Sequence, residues 1–292
     1  MQIMEMARGC NQSFEELPSI DQQLTFSKLS IELIRVLGIE QLNRDILKTL
    51  ELYSDQNGFN NAAALLADTN SFKGIDIIRF GNSINEIMER KSLENISILL
   101  QMEQCIQMFH QYYRYEKIEG MDRKSVDKIP ERAFREAVAN ALVHRMWDIP
   151  ASIKISMYSD KIEISSPGGL PAGISEDEYL NGQISLLRNP IIGNVFFRLK
   201  YIEKFGTGIM RINYAYKDAL IKPDYHIFSN SIQIILPVIK SDYKLNETEK
   251  KLLNILKING SMTRNEIEKA AEIDKSKAIR GLNRLIEKKM IQ

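Results

Sequence analysis

Apolar positions along the chain switch between helical spacing and a two-residue period, which predicts a mixed α and β protein. A helix is predicted within residues 25–50, a second short helix over 43–52, and a strand over 75–80. The apolar face of the first helix consists of Leu29, Leu33, Ile34 and Leu37. From 85 to 118 apolar residues recur at helical spacing and predict one long helix or two.

The second half of the chain repeats this mixture. A helix is predicted over 131–147, and two alternating runs at 152–159 and 161–166 predict a β-hairpin. A stretch over 170–190, rich in Pro, Gly, Asn and Ser, predicts irregular structure, and 231–239 predicts a last strand. The fold class is therefore α+β.

The amino-acid composition argues against several classes of function. The 39 basic and 38 acidic residues leave a net charge of +1, so any nucleic-acid site must be local. Cys10 and Cys105 are too few for a disulfide framework or a cysteine-based zinc site. No apolar run approaches the roughly 20 residues of a membrane span, and the N-terminus lacks a secretion signal. These observations favour a cytoplasmic protein with no membrane partner.

One predicted helix carries a polar stripe. Glu136, Asn140 and His144 follow one another at intervals of four residues, so they share one helix face. The amide oxygen of Asn140 can bind Mg²⁺, and the Glu136 carboxylate can polarise a water towards a phosphate. The alternative is a solvated helix face on which Glu and Asn have no such role.

Two glycine turns follow this helix along the chain. Gly168 and Gly169 come directly after a strand, where the backbone can approach a flat ring closely. Gly206, Thr207 and Gly208 open a helix, so its N–H groups and dipole can face phosphates. Either turn could equally be a tight turn without a ligand. The sequence has no GxxxxGK[ST] loop, which argues against a P-loop helicase.

The order of helix, hairpin, Gly-Gly turn, irregular segment and Gly-x-Gly helix resembles the GHKL ATPase fold of gyrase, heat-shock and histidine-kinase ATP domains. More closely, EAVANALVHR, EISSPGGLP, RNPII and FGTGI resemble the RecG-related C-terminal family of transcriptional regulators, which usually carry an N-terminal Schlafen-type AlbA domain. The resemblance covers roughly residues 8–240. It implies a GHKL-like α/β sandwich that binds ATP and Mg²⁺.

The resemblance also implies roles for single residues. Glu136 matches the general base, Asn140 the magnesium ligand, and residues 170–200 the lid. The family's Asp before the adenine-side glycines is replaced by Ser165 or Ser166, which are weaker acceptors. The residues matched to the nucleotide site are Asn140, His144, Ser166, Gly168, Gly169, Gly206, Thr207 and Gly208. Of these, His144 either contacts phosphate or packs near the helix end.

The expected domain organisation follows from this resemblance. Residues 1–24 are expected to be the remnant of an N-terminal domain, and 25–120 a small helical or α/β connecting domain. Residues 121–240 are expected to form the GHKL-like ATP-binding domain, and 245–292 a winged-helix-like helix-turn-helix domain.

The last predicted helix is the most basic part of the chain. Residues 275–289 contain six basic side chains and one acidic side chain. One face carries Lys277, Arg280, Arg284 and Lys288, and the opposite face carries Ala278, Leu282, Leu285 and Ile286. A basic helix on a small helical scaffold is typical of a major-groove reader that first meets phosphates. A solvated face or a protein-contact module are the alternatives.

The leading interpretation is an ATP-binding transcriptional regulator that binds DNA through its C-terminal helices, with at most weak ATPase activity. One alternative is a GHKL-type ATPase within a protein assembly. Another is a degenerate fold that binds no nucleotide and serves as a dimerisation scaffold. A homodimer is compatible with the sequence, which leaves the operator, the effector and the oligomeric state open.

Overall fold

A computed structural model of the chain describes residues 13–120, 122–171, 173–182, 186–203, 206–239, 246–287 and 291. The chain divides into two compact units, Met1–Ile239 and Lys240–Gln292. The described part of the first unit contains a mixed α+β arrangement, and the second is helical. The α+β fold class is therefore confirmed.

The first unit begins with a 3₁₀ turn at Phe14–Glu16 and ends with a strand. Its helices are α1 (Ser27–Leu37), α2 (Arg44–Thr49), α3 (Asn61–Leu66), α4 (Ile98–Tyr113), α5 (Glu131–His144), α6 (Glu176–Leu180), α7 (Pro190–Arg198) and α8 (Gly208–Ala215). Its strands are β1 (Tyr53–Ser54), β2 (Gly58–Phe59), β3 (Ile75–Phe80), β4 (Ile87–Leu93), β5 (Arg114–Glu119), β6 (Asp122–Asp127), β7 (Ile153–Met157), β8 (Lys161–Pro167), β9 (Asp224–Phe228) and β10 (Ser231–Pro237).

A six-stranded sheet in the order β4-β3-β7-β8-β10-β9 forms the centre of this unit. Strands β3 and β7 pair in parallel, and the other neighbours pair antiparallel. Along β8 and β10 buried and half-buried side chains alternate, as expected when only one sheet face is covered. Helix α5 packs on the covered face against β8 and β10, and α4 and α8 pack against α5.

The sheet confirms the hairpin and the strands predicted at 75–80 and 231–239. The prediction of helix from 85 to 118 is wrong at both ends, because 87–93 is the edge strand β4 and 114–119 is β5. Only Ile98–Tyr113 is helical. Ile34 and Leu37 were expected in the core but are 41% and 43% exposed, whereas Leu29 and Leu33 are fully buried.

The second unit contains α9 (Glu247–Asn259), α10 (Arg264–Ala271) and α11 (Lys275–Glu287). Thr263 and Glu266 form a capping box at the start of α10, in which each side chain accepts from the backbone N–H of the other residue; the Thr263 N–H donates to Glu266 Oε2 at 2.8 Å. Asp274 caps α11 by accepting from the Lys277 N–H at 2.8 Å. Within the described ranges, no helix is long and apolar enough to cross a bilayer.

Candidate functional site

Helix α5 places its polar stripe at the edge of a cleft. Its apolar positions, among them Val138 and Leu142, are buried in the core, which fixes the rotation of the helix. Glu136, Asn140 and His144 consequently line one cleft of about 740 Å³, a volume that includes the part open to solvent. The three stripe residues are thus brought together in space.

Glu136 is a buried acid, only 7% exposed. Burial raises the pKa of its carboxyl group, and the nearby cations Arg211 and Arg132 partly offset this effect. The Arg211 Nη1 atom lies 3.6 Å from Glu136 Oε2. A raised pKa makes the ionised carboxylate a stronger proton acceptor than that of an exposed glutamate.

The glycine at the start of α8 touches this stripe. A Cβ atom added to Gly208 would lie 2.6 Å from Asn140 Nδ2 and 2.7 Å from Glu136 Oε1. Gly206 has φ +64, a left-handed conformation that favours glycine, and Thr207 is the N-cap of α8. Gly206 and Gly208 also line the cleft. The N-terminal end of α8 therefore lies beside Glu136 and Asn140.

The Gly168-Gly169 turn forms another part of the cleft region. Gly168 has φ +107, and its N–H donates to the Asn230 carbonyl at 2.9 Å. A Cβ on Gly169 would lie 2.9 Å from the Phe228 carbonyl oxygen and closer still to that of Ser229. The positive φ of Gly168 and the packing of Gly169 against the β9–β10 turn are thus sufficient to require both glycines, whether or not a ligand binds.

Ser166 points inwards, and its neighbour Ser165 lies on the opposite face of β8. The Ser166 hydroxyl is buried and donates to the Ala141 carbonyl of α5 at 2.8 Å. It therefore ties β8 to α5 and can still accept a hydrogen bond at its oxygen. It lines a second, smaller recess of about 310 Å³, including the part open to solvent, together with Asn140 and His144.

His144 lies at the end of α5, half-buried between the two recesses. Removal from water lowers the pKa of its imidazole to about 4, and the Arg188 cation acts in the same direction. The ring is consequently neutral at physiological pH and can both donate and accept a hydrogen bond.

Three further cleft residues were missed or left open by the sequence patterns. Tyr179, on the short helix α6, lines both recesses, and burial raises the pKa of its hydroxyl to about 12. The Arg188 Nη2 atom donates to the Gly169 carbonyl at 2.8 Å. Ile232 lines both recesses from β10. Arg188 is the first residue of the RNPII motif, whereas the sequence around Tyr179 and Ile232 contains no pattern that distinguishes them from other residues of a loop or a strand.

Asn189 and Glu15 hold the framework of the site. The Asn189 side chain donates to the Val143 and Arg145 carbonyls, at 2.7 and 2.8 Å, at the end of α5. The buried Glu15 carboxylate accepts from the N–H groups of Ile191 and Ile192, at 2.6 and 3.0 Å, in the first turn of α7. The N-terminal 3₁₀ turn is thereby fixed to α7, and α7 is fixed to α5.

Metal-binding clusters are not a feature of the described residues, since no group of three or more His, Cys, Asp or Glu is arranged to hold an ion. Glu136 and Asn140 supply two oxygen-bearing side chains at one place. This donor set suits a hard cation that takes its remaining ligands from water and phosphate.

The predicted DNA-binding face lies in the second unit. Lys277, Arg280 and Arg284 are exposed on one side of α11, and Lys288 lies outside the described residues. Ala278 and Leu285 are fully buried opposite them, whereas Ile286 is 50% exposed. Arg284 Nη1 lies 3.6 Å from the buried carboxylate of Glu249, in the capping box of α9.

One part of the first unit matches a known protein family. Residues 151–236 match the family model described as "Putative ATP-dependent DNA helicase recG C-terminal". This segment is therefore similar to a RecG-related, GHKL-like ATPase-type domain. The match covers β7 to β10 with both glycine turns, and it begins after Glu136 and Asn140.

A similar solved structure extends the fold comparison to nearly the whole chain. The crystal structure of the DIP2311 protein from Corynebacterium diphtheriae matches with a TM-score of 0.68 and 18% sequence identity. The match covers 97% of this chain and 62% of that chain, so this chain spans about three fifths of that protein's length. At this identity the likeness concerns the fold alone. No curated protein matches the sequence.

Proposed function

We propose that the chain binds ATP with Mg²⁺ in the cleft over α5, and that its C-terminal helices bind DNA, so that it acts as an ATP-binding transcriptional regulator. One observation carries the nucleotide part. The buried Glu136 and its neighbour Asn140 lie directly against Gly208, at the N-terminal end of a helix in an ATPase-type domain. A helix N-terminus beside metal-type oxygen donors is suited to a polyphosphate.

The residues present fit a magnesium-bound nucleotide. The Asn140 amide oxygen would hold the cation, which would neutralise phosphate charge when bound. The N–H groups at the start of α8 would hold phosphate oxygens, because this end of the helix lies against Glu136 and Asn140, where the cation would be held. Tyr179 and Ile232 offer apolar surface for a flat ring in the smaller recess.

Glu136 would act as the proton acceptor in any hydrolysis. Its carboxylate oxygen would take a proton from a water molecule, and its raised pKa places it closer to neutral pH than an exposed glutamate. The burial that raises this pKa also excludes competing water. We expect turnover to be slow, because the site has one acid in this position and regulation requires only binding.

In the part of the cleft that would hold the adenine ring, we expect weaker selectivity for adenine than a carboxylate would provide. Ser166 supplies only a hydroxyl oxygen that already donates to Ala141, and His144 is neutral. The degenerate-scaffold alternative rests on this observation. Under that alternative the cleft would bind no nucleotide at all.

The DNA part rests on the charge of α11. Lys277 and Arg280 are exposed on one face, where they could meet phosphates of a duplex. Exposed Ile258 and Ile286, at 82% and 50%, favour the second candidate function, in which these helices bind a protein within an assembly.

Calorimetry with Mg²⁺ and ATP on the full chain tests the nucleotide part. Wild type is expected to bind, and Asn140→Ala is expected to lose the magnesium-dependent share of the affinity. Asn213→Ala, on α8 and outside the cleft lining, is the matched control. Binding that is equal with Mg²⁺ and with EDTA would remove Asn140 from this role. No binding by wild type would favour the scaffold.

A further inference from the structure

Arg211 lies between two carboxylates, Glu136 and Glu203, which both line the cleft. Its Nη1 atom is 3.6 Å from Glu136 Oε2, and its Nη2 atom is 3.4 Å from Glu203 Oε1. The Glu136 side chain is 8% exposed, that of Arg211 22%, and that of Glu203 52%. The arginine thus spans from a buried acid to a solvent-facing acid.

Both contacts are loose. Charge-assisted N–H to carboxylate hydrogen bonds are about 2.7–2.9 Å long. Arg114 reaches Asp127 at 2.7 Å and Glu131 at 2.5 Å, which is the geometry of a tightly held guanidinium. Arg211 has no comparably short contact with either acid. A more highly charged anion nearby could therefore pair with the guanidinium in place of the two carboxylates.

The position of Arg211 on α8 points to such an anion. Arg211 follows Gly208 by three residues and therefore lies one turn later on the same helix face. Side chains on an α-helix tilt towards its N-terminus, so this guanidinium is directed towards the end where Gly208 meets Glu136 and Asn140. The helix N-terminus and the guanidinium present positive charge to the same place.

We propose that Arg211 binds the terminal phosphate of a nucleoside triphosphate, and gives up its contacts with Glu136 and Glu203 when it does so. This inference rests on the proposed nucleotide function. It makes Arg211 the residue that distinguishes a triphosphate from a diphosphate. The exchange also leaves the Glu136 carboxylate with its oxygens available to a water molecule.

Glu203 has a defined part in this exchange. It competes with the phosphate for the same guanidinium, and it is itself an anion beside a polyanion. The Glu203→Gln variant should therefore bind the triphosphate more tightly than wild type. A variant without the Arg211 guanidinium should bind it less tightly. Opposite effects at two residues in contact are not expected from a general disturbance of the fold.

The test measures ATP and ADP affinity of the full chain in Mg²⁺ by calorimetry. Arg211→Met is expected to weaken ATP binding about tenfold more than ADP binding, the size of one charged hydrogen bond. Arg211→Lys is expected to have an ATP to ADP affinity ratio between those of wild type and Arg211→Met. Glu203→Gln is expected to raise this ratio above that of wild type. Arg135→Met is the matched control, because Arg135 pairs with Glu131, at 3.6 Å, and Glu131 does not line the cleft.

An ATP to ADP ratio unchanged in Arg211→Met and in Glu203→Gln would overturn the inference while leaving nucleotide binding intact. Equal losses for both nucleotides would also overturn it, because they would indicate a role in positioning the site rather than in contacting the terminal phosphate. No nucleotide binding by wild type would overturn this inference and the proposed function together. If Arg211→Met does not fold, Arg211→Lys and Glu203→Gln decide the outcome.

Discussion

Gly208 and Asn140 approach so closely that a Cβ atom on residue 208 would lie 2.6 Å from the Asn140 amide nitrogen. The first turn of α8 therefore rests directly on the polar stripe of α5. Two segments separated by more than sixty residues in the chain form one surface at this point. The glycine is needed for this packing, independently of any ligand.

Gly208→Ala is expected to destabilise the fold by about 1–3 kcal/mol, the usual cost of overpacking. The added methyl group must displace Glu136 or Asn140, so nucleotide affinity should fall as well. Thermal unfolding and calorimetry measure the two effects. Tyr214→Ala, on the exposed side of the same helix, is expected to change neither by a comparable amount. A Gly208→Ala protein with wild-type stability and affinity would show that α8 moves away freely.

Glu136→Gln is expected to keep ATP binding and remove hydrolysis, because the amide keeps the shape but loses basicity. The same change should stabilise the protein at neutral pH. Burial penalises the charged form, so the raised pKa means that ionised Glu136 costs folding free energy above its folded-state pKa. Turnover at the wild-type rate in this variant would exclude Glu136 as the base, and an unchanged melting temperature would contradict the stability argument.

The local part of the site could be predicted from sequence. Glu136, Asn140 and His144 share a face because helix geometry fixes their spacing, and the glycine turns are visible as short motifs. Their meeting in one cleft depended on the resemblance, since no local rule brings Gly208 to Asn140. Tyr179 could not be predicted for the same reason: its role depends on which loop lies over α5.

Periodicity failed where tertiary context decides burial. Ile34 and Leu37 continue the helical spacing of α1 yet face solvent. The edge strand β4 was predicted as helix because its few apolar residues, Ile87, Met88 and Leu93, fit both periods in a short run. Strand β9 was not predicted, since Asp224–Phe228 carries no clear alternation and its burial is only partial.

Glu15 should make stability depend on pH. Burial raises the pKa of its carboxyl group from 4.5 to about 7, against the lowering effect of two backbone N–H donors. Because the folded-state pKa is the higher one, the unfolded chain releases this proton first as pH rises. The free energy of unfolding should therefore fall between about pH 4.5 and 7, by up to about 3 kcal/mol.

Urea unfolding at pH 5 and pH 7.5 measures this contribution. Glu15→Gln cannot ionise, so its unfolding free energy should change less between the two pH values than that of wild type. Glu40→Gln, at an exposed position, is the matched control and should retain the wild-type dependence. Identical pH dependence in wild type and Glu15→Gln would mean that the two N–H donors fully offset the effect of burial on the pKa.

The segment over the cleft should be the least protected part of the first unit. None of the residues of α6 is fully buried, Tyr179 being half-buried, and the helix is held at its start by a capping box between Ser175 and Glu178. Few buried contacts mean a low local free energy of opening. We expect amides of residues 173–182 to exchange quickly without nucleotide and slowly with ATP and Mg²⁺. Equal exchange rates in both states would exclude an ATP-responsive lid.

The basic face of α11 predicts a salt-dependent affinity for DNA. Each phosphate contact contributes about 0.9 to the slope of log affinity against log salt. Lys277→Ala with Arg280→Ala should flatten that slope by roughly two units if both touch phosphate. If Arg280 instead reads a guanine edge, its loss should relax preference at one base pair by about 1–3 kcal/mol.

Arg284 should behave differently from these two residues. It faces the buried carboxylate of Glu249, which caps α9 and would lose its cation in Arg284→Ala. That variant should therefore lower the stability of the helical unit and change the salt slope by less than one contact. Binding of each variant to specific and random duplexes at several salt concentrations, with melting temperatures measured alongside, separates the two effects. A double variant at Lys277 and Arg280 with the wild-type slope on both duplexes would assign this face to solvent, and the exposed Ile258 and Ile286 would then favour a protein partner.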